Sequence, residues 1–382
     1  MYLRRAALVI AVAVVLGILP AAPGLAATAH RADGNLSDWS GDPTMLSGET
    51  RVSKGELIYD DWLYDDYGAD LDQAPNPPAF RGYLAPTQGD YRYPTNDARY
   101  GYNAADLREL RLAADGYGLH VLVFLQTMKA RDAAAFTLAI DSDRDRVDTD
   151  QWPDGVGIDG AKADHFVTSW GSGGFVTDGL GHRIRIPRQA VNLSENAIEV
   201  DVPWKDLPNL RGRTARLYMV SGVADPQNKR YLLPVSGSAT ATNPGGGNQL
   251  GGYTAAFDAA FDAHETFTRL LSHWGEEVQS QDLAQRDVSG LVQSVDFGEL
   301  EAGVSDSYAP APGRFYNRIF RSGQSYGEGI VLKNNPSSPG GSPEPEFLSP
   351  YQPYGLYIPS DYVPGTPAAL LLNGHSLDVN HN

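Results

Sequence analysis

Residues 107–148 read LRELRLAADGYGLHVLVFLQTMKARDAAAFTLAIDSDRDRVD, and three strands account for most of them. Leu107, Leu110 and Leu112 start a half-buried pattern that runs into Asp115-Gly116 and Gly118, residues with turn chemistry. Leu119 to Leu125 is apolar at nearly every position, as in a strand covered on both faces. A third strand, Ala135 to Ile140, ends abruptly in a row of aspartates. Short polar turns between these strands predict an antiparallel meander, with the flanking segments added to it as layers. A sandwich and a barrel both satisfy that pattern.

Outward from the meander the chain stays β-like. His165 to Trp170, Arg183 to Ile186, Ala197 to Val202 and Ala215 to Val220 alternate or are covered, and Pro203-Trp204 marks a short turn after the cleanest of them. Pro244 to Asn248 is a glycine-rich loop and a domain edge. Glu265–Trp274 and Glu276–Ala284 carry helix-compatible residues, so one or two helices are expected against an outer face. On the other side, Asp33-Gly34 is a turn with Trp39 as an anchor behind it. Residues 74–102 are rich in Pro, Gly and Tyr and read as a long loop. Asn334 to Pro345 is a linker, followed by strands at Tyr354–Pro359 and Ala368–Leu372.

Composition narrows the function. A chain of 382 residues that is 42% hydrophobic and 10% aromatic can bury a real core. Its 41 glycines and 26 prolines suit short strands and turns better than long helices. The net charge of −17 argues against a nucleic-acid partner, because phosphates would be repelled. Residues 1–27 have the build of a signal peptide: Arg4 and Arg5, an apolar run from Ala6 to Leu19, and a small-residue zone from Ala21 to Ala27. Gly17 and Pro20 leave that run short of the ~20 apolar residues of a membrane span. A secreted protein with no membrane span after signal cleavage is expected. With no cysteine it has no disulfide, thiolate metal site or cysteine nucleophile.

Three motifs bear on chemistry. Asp141, Asp143 and Asp145 place carboxylates on alternate residues at a strand end, which offers calcium the hard oxygen ligands it takes. The helix-loop-helix calcium pattern fails, since Arg146 stands at its glycine position and Trp152 at its bidentate Glu position. A solvated acidic turn neutralised by Arg144 and Arg146 is the other reading. Gly323-Gln-Ser-Tyr-Gly327 matches the nucleophile elbow G-x-S-x-G, yet neither a buried strand before it nor a helix start after it accompanies Ser325. Finally, aromatic and acidic residues interleave from Tyr59 to Tyr67. Trp62 and Tyr64 would share one face of a strand as a platform for sugar rings, or the apolar members are core and the aspartates solvated.

Two resemblances enter at these residues. Asp33-Gly-Asn-Leu-Ser-Asp-Trp39, Gly55 to Ala69, Ile140-Asp-Ser-Asp-Arg-Asp145 and Ile198-Glu-Val-Asp-Val-Pro-Trp204, in that order, resemble the C-terminal binding module of glucodextranase. That family is a relative of the DOMON-like, carbohydrate-binding β-sandwiches, and the resemblance spans roughly Ala29 to Gly303. It implies a sandwich that binds a polysaccharide or a cell-envelope polymer. Tyr354-Gly-Leu-Tyr-Ile-Pro359, then Ala368 to Ser376, looks like the opening of an exported α/β-hydrolase of the prolyl-oligopeptidase-like or polyester-depolymerase-like kind. By that match Gly374, His375 and Ser376 take the oxyanion-loop position, while the family's serine, acid and histidine would lie beyond Asn382.

The expected fold is therefore mainly β. An antiparallel β-sandwich with a small helical decoration occupies residues 28–303, 304–345 connect, and 346–382 form the stub of an α/β domain. The expected function is exported binding of carbohydrate or envelope polymer, from a hydrolase architecture whose catalytic part is missing here. A secreted α/β-hydrolase active in its own right is the alternative. This chain alone is expected to be silent as an acyl hydrolase, because Ser325 precedes the oxyanion strand and lacks a placed base.

Overall fold

The computed structural model describes residues 29–43, 45–62, 66, 68–69, 91–100, 104–142, 148–225, 232–233, 235–246, 254–262, 266–267, 274–275, 277–309, 312–321, 351–363, 365–367 and 369. Thirteen strands of the sandwich are labelled here. They are β1 (Glu49–Ser53), β2 (Glu56–Asp60), β3 (Leu107–Ala114), β4 (Gly118–Leu125) and β5 (Ala134–Asp141). Then come β6 (His165–Ser169), β7 (Gly174–Asp178), β8 (Arg183–Arg185) and β9 (Arg188–Asn192). The last are β10 (Ala197–Pro203), β11 (Thr214–Val223), β12 (Asp258–Ala259) and β13 (Gln293–Asp296).

Two antiparallel sheets result. The first has the order β1-β2-β3-β4-β10-β9. The second runs β8-β7-β6-β5-β11, with β12 and β13 both on the far side of β11. Alternation decides what lies between them. Leu110, Leu112, Val121, Val123, Ile198 and Val200 face inward from the first sheet. Phe136, Leu138, Ile140, Val167, Leu217 and Met219 meet them from the second. Each such side chain contributes about 1.5–3 kcal/mol on burial, so the inner faces dominate stability.

The expected sandwich is present, but the meander is not continuous. β3 and β4 pair, whereas β5 pairs β6 and β11 in the opposite sheet. Residues 126–133 form no hairpin; they are long enough to cross the ~10 Å between packed sheets. The β3–β4 turn is as expected: the Asp115 carboxylate accepts the Tyr117 and Gly118 N–H groups. Gly118 is obligatory, since a Cβ there would lie 2.0 Å from the Val202 carbonyl oxygen of β10. Lys54 and Gly55, with φ of 54° and 80°, form the tight turn between β1 and β2.

Outside the sandwich, one helix spans Glu277–Gln285, in line with the second expected helix. The first gives way to a strand pair, Thr266–Phe267 against Trp274–Gly275. Gly245–Gly246 is not a free loop but pairs with Tyr91–Arg92. Trp152, Phe166, Tyr218, Phe257, Leu283 and neighbours form a further core on the outer face of the second sheet. Arg314–Arg321 pairs antiparallel with Tyr351–Ile358. No helix among the described residues is long and apolar enough to cross a membrane.

Candidate functional site

At one lateral edge of the sandwich, β1 and β13 stand apart and leave a cleft of about 490 Å³. Its floor is the core seen from the side: Leu57, Tyr59, Phe261, Val295 and Leu300. Its rim is polar and mostly acidic, with Glu49, Arg51, Gln293, Asp296, Glu299 and Asp306. Segment 304–308 closes one end. The Val52 N–H donates to Asp306 at 2.6 Å, and the Tyr308 hydroxyl donates to Glu49 at 2.6 Å. Arg51 bridges Asp42 at 3.3 Å and Asp306 at 3.6 Å. Asp296 caps the short helix Phe297–Glu301 by accepting the Gly298 and Glu299 N–H groups, which fixes the rim.

Buried carboxylates bond two tyrosines, Tyr59 of the cleft floor and Tyr93 of the core outside the second sheet. The Tyr59 hydroxyl reaches Asp61 at 3.0 Å and the Asp262 carbonyl at 3.2 Å, while its ring lies 5.0 Å from Phe261. The Tyr93 hydroxyl donates to Asp66 at 2.9 Å and accepts the Ala105 N–H at 3.0 Å. Burial, with the charges of Asp66 and Asp106, pushes the Tyr93 phenol well above its ordinary range. Asp258 accepts the Leu107 N–H at 2.5 Å, and burial raises its carboxyl to about 7 in spite of such bonds. Facing the Leu107 and Ala259 N–H groups, Asp258 acts as a structural acceptor. Among the described residues no three His, Asp or Glu side chains are arranged to hold a metal ion.

The residues singled out in the sequence are placed as follows. Trp62 is half-buried and its indole lies against Gly48 of the cleft wall, where a Cβ would meet Nε1 at 2.7 Å. Tyr64 lies outside the described residues, as do Asp143, Asp145, Ser325, Gly374, His375 and Ser376. The aspartates around Trp62 are not solvated: Asp60, Asp61 and Asp66 are buried. Asp141 is buried too and holds the Arg216 guanidinium. Beside it, Ser142 donates to Asp164, whose other oxygen meets His165 Nδ1 at 3.0 Å. Burial raises the Asp164 carboxyl, but the bonds from His165 and Ser142 outweigh it and hold it low. The acid stands between the serine and the imidazole, which is the wrong order for a base to activate the hydroxyl.

The sequence did not expose Tyr93 as the partner of Asp66, nor the Asp262 carbonyl as that of Tyr59. One signal was available. Residues 255–262 repeat Ala-Ala-Phe-Asp, and both aspartates, Asp258 and Asp262, are buried beside core phenylalanines.

The outer face of the first sheet carries a second polar assembly. Glu56, Glu199 and Asp201 alternate outward, and the segment 30–41 lies over them as a strap. Glu199 accepts the Trp39 indole N–H at 3.0 Å and the Gly34 N–H at 2.6 Å. Asp201 accepts the Ala32 N–H and bonds His120 Nδ1 at 2.7 Å, and Glu56 accepts the Ser40 and Gly41 N–H groups. Burial raises the Glu199 carboxyl to about 7, with Asp38 and Asp33 adding to it. His120 is raised as well: burial lowers it, but Asp201 and Asp115 prevail.

No protein-family model matches the chain, and a search of curated proteins returned no match.

Proposed function

We propose that this chain is an exported β-sandwich module that binds carbohydrate or a cell-envelope polymer, with the cleft between β1 and β13 as its binding site. The observation that carries this is the cleft's construction, an apolar floor inside a ring of hydrogen-bonding side chains. A pyranose has the matching form, with apolar C–H faces and equatorial hydroxyls, and such clefts bind by a few placed polar groups around apolar contact. Trp62, whose indole abuts the cleft wall, and Tyr64 extend the platform in this proposal.

The test is retention of the full chain on insoluble α-glucan and on envelope polysaccharide. Gln293→Ala with Glu299→Ala removes two rim groups, the second of them exposed and neither part of the core. Retention that drops several-fold in this variant, and again in Trp62→Ala with Tyr64→Ala, supports the proposal. A wild-type chain that is never retained ends it. Calcium at Asp141, Asp143 and Asp145 belongs to the same proposal. Binding to the native state alone at a hundredfold excess over Kd stabilises by about 2.7 kcal/mol. A melting temperature unmoved by millimolar calcium or by a chelator removes calcium from it.

A further inference from the structure

At the opposite edge of the sandwich the two sheets are joined instead of parted. β8 ends the second sheet at Arg185, Ile186-Pro187 crosses over, and β9 begins the first sheet at Arg188. A cleft of about 690 Å³ lies along this junction. Four arginines line it, from four separate stretches: Arg31 of the strap, Arg131 of the crossing segment, Arg185 of β8 and Arg188 of β9. Among the described residues no Asp or Glu lines it.

This is unusual chemistry for a chain with 47 acidic against 30 basic residues. Elsewhere arginines hold carboxylates, as Arg99 holds Asp132, Arg211 holds Glu301 and Arg286 holds Asp159. Arg31, Arg131 and Arg185 are exposed and form no ion pair with the described residues; among those residues Arg188 has only Asp201, at 3.8 Å, while its guanidinium lies over the Tyr117 ring. Guanidinium groups keep their charge at any physiological pH and repel one another when gathered without counter-charges. An arriving anion relieves that repulsion and accepts paired hydrogen bonds from the planar forks.

The rest of the lining says which kind of anion. Ser172 and Gln189 add neutral hydrogen-bonding groups, and Ile186-Pro187 adds apolar surface. Hydroxyls and the C–H face of a sugar ring use these, while a bare inorganic ion does not. Among the described residues no aromatic ring lines the cleft to stack a nucleobase, and the overall −17 charge repels a polymer as densely charged as nucleic acid. We propose that this cleft is a subsite for the carboxylates of an acidic polysaccharide, a polyuronate. The proposal rests on the polymer-binding reading above and narrows its ligand to a class.

The experiment uses the full chain and measures affinity for polygalacturonate, for a neutral α-glucan of similar length and for single-stranded DNA. Wild type is expected to prefer polygalacturonate. Arg131→Glu with Arg185→Glu is expected to weaken that binding at least tenfold and leave glucan binding unchanged. Arg131→Gln with Arg185→Gln weakens it less. Lys205→Glu with Arg213→Glu makes the same change in net charge at exposed sites away from the cleft and is expected to have little effect. Unchanged melting curves show that the variants are folded. The proposal is overturned if both glutamate pairs weaken binding equally, if DNA binds more tightly than polygalacturonate, or if glucan binds as well. Retention on glucan without polygalacturonate binding removes this subsite and leaves the polymer-binding proposal standing. Binding to neither polymer removes both.

Discussion

The two lateral edges of the sandwich are built from the same kind of strand and carry opposite charge. Between β1 and β13 the sheets part, and the gap is rimmed by Glu49, Asp296, Glu299 and Asp306, with Arg51 committed to Asp42 and Asp306. Between β8 and β9 the sheets are joined, and four arginines, with no acid among the described lining residues, line the junction. Net charge is thus a poor guide to local chemistry in this chain. It governs long-range steering, but at contact the field belongs to the few groups within a Debye length, about 8 Å at physiological salt.

The largest effect is expected where the acidic cleft shares its floor with the core. Tyr59→Ala removes a fully buried ring that touches Phe261 and bonds Asp61 and the Asp262 carbonyl. A loss of about 3–5 kcal/mol in urea unfolding is expected, the usual cost of deleting a buried aromatic side chain. A loss under 1 kcal/mol would mean that this edge does not hold the sheets together.

The basic edge depends on the strap, because Arg31 sits on it between His30, whose ring lies 4.5 Å from Trp39, and the Ala32 N–H bound to Asp201. The strap's anchors titrate. Glu199 is raised from 4.5 to about 7, so between those values the unfolded chain gives up its proton while the folded chain keeps it. The folded state then binds more protons, and stability falls as pH rises through that window. His120 acts in the same sense: its contribution is full below 6.5 and is lost as pH rises through its raised folded value. Facing this pair are the acids Asp33, Asp38, Asp115 and Asp201, with the His30 ring 5.6 Å and the Tyr117 ring 6.1 Å from that of His120. The denaturant midpoint of wild type is expected to be higher at pH 5 than at pH 8, and Glu199→Gln should flatten that slope. A slope identical in both proteins excludes Glu199 as its source.

Smaller effects sharpen the contrast. Arg51→Ala removes ion pairs to half-exposed acids and a stacking contact 5.1 Å from the Tyr308 ring. About 1 kcal/mol or less is expected, as for exposed ion pairs, with faster proteolysis of segment 304–308 as the more sensitive readout. Arg31→Ala on the other edge removes no ion pair among the described residues, so the unfolding midpoint should stay where it is while polygalacturonate affinity falls. Destabilisation there equal to that of Arg51→Ala would mean the basic edge is structural.

Much of the fold was legible in the chain. Alternation at Leu110–Leu112 and Ala197–Val202 and the continuous apolar run Leu119–Leu125 identified strands, because burial of one sheet face imposes a period of two and burial of both faces removes it. Turn residues located the Asp115–Gly118 hairpin, whose local hydrogen bonds need no distant partner. Half of the acidic cluster, Tyr59 to Asp66, was visible as a block. What alternation cannot report is which strand lies next to which. It therefore carried Ala135–Ile140 into the same meander, whereas tertiary packing sends that strand to the second sheet. Nor does it tell a solvated polar face from one covered by a strap: Glu56, Glu199 and Asp201 look wet in sequence and are each about 1% exposed in the fold. The gathering of Arg31, Arg131, Arg185 and Arg188 was likewise decided only by the tertiary structure. Electrostatic interaction depends on separation in space, and these four side chains become neighbours only when the strap, the crossing segment and two edge strands meet.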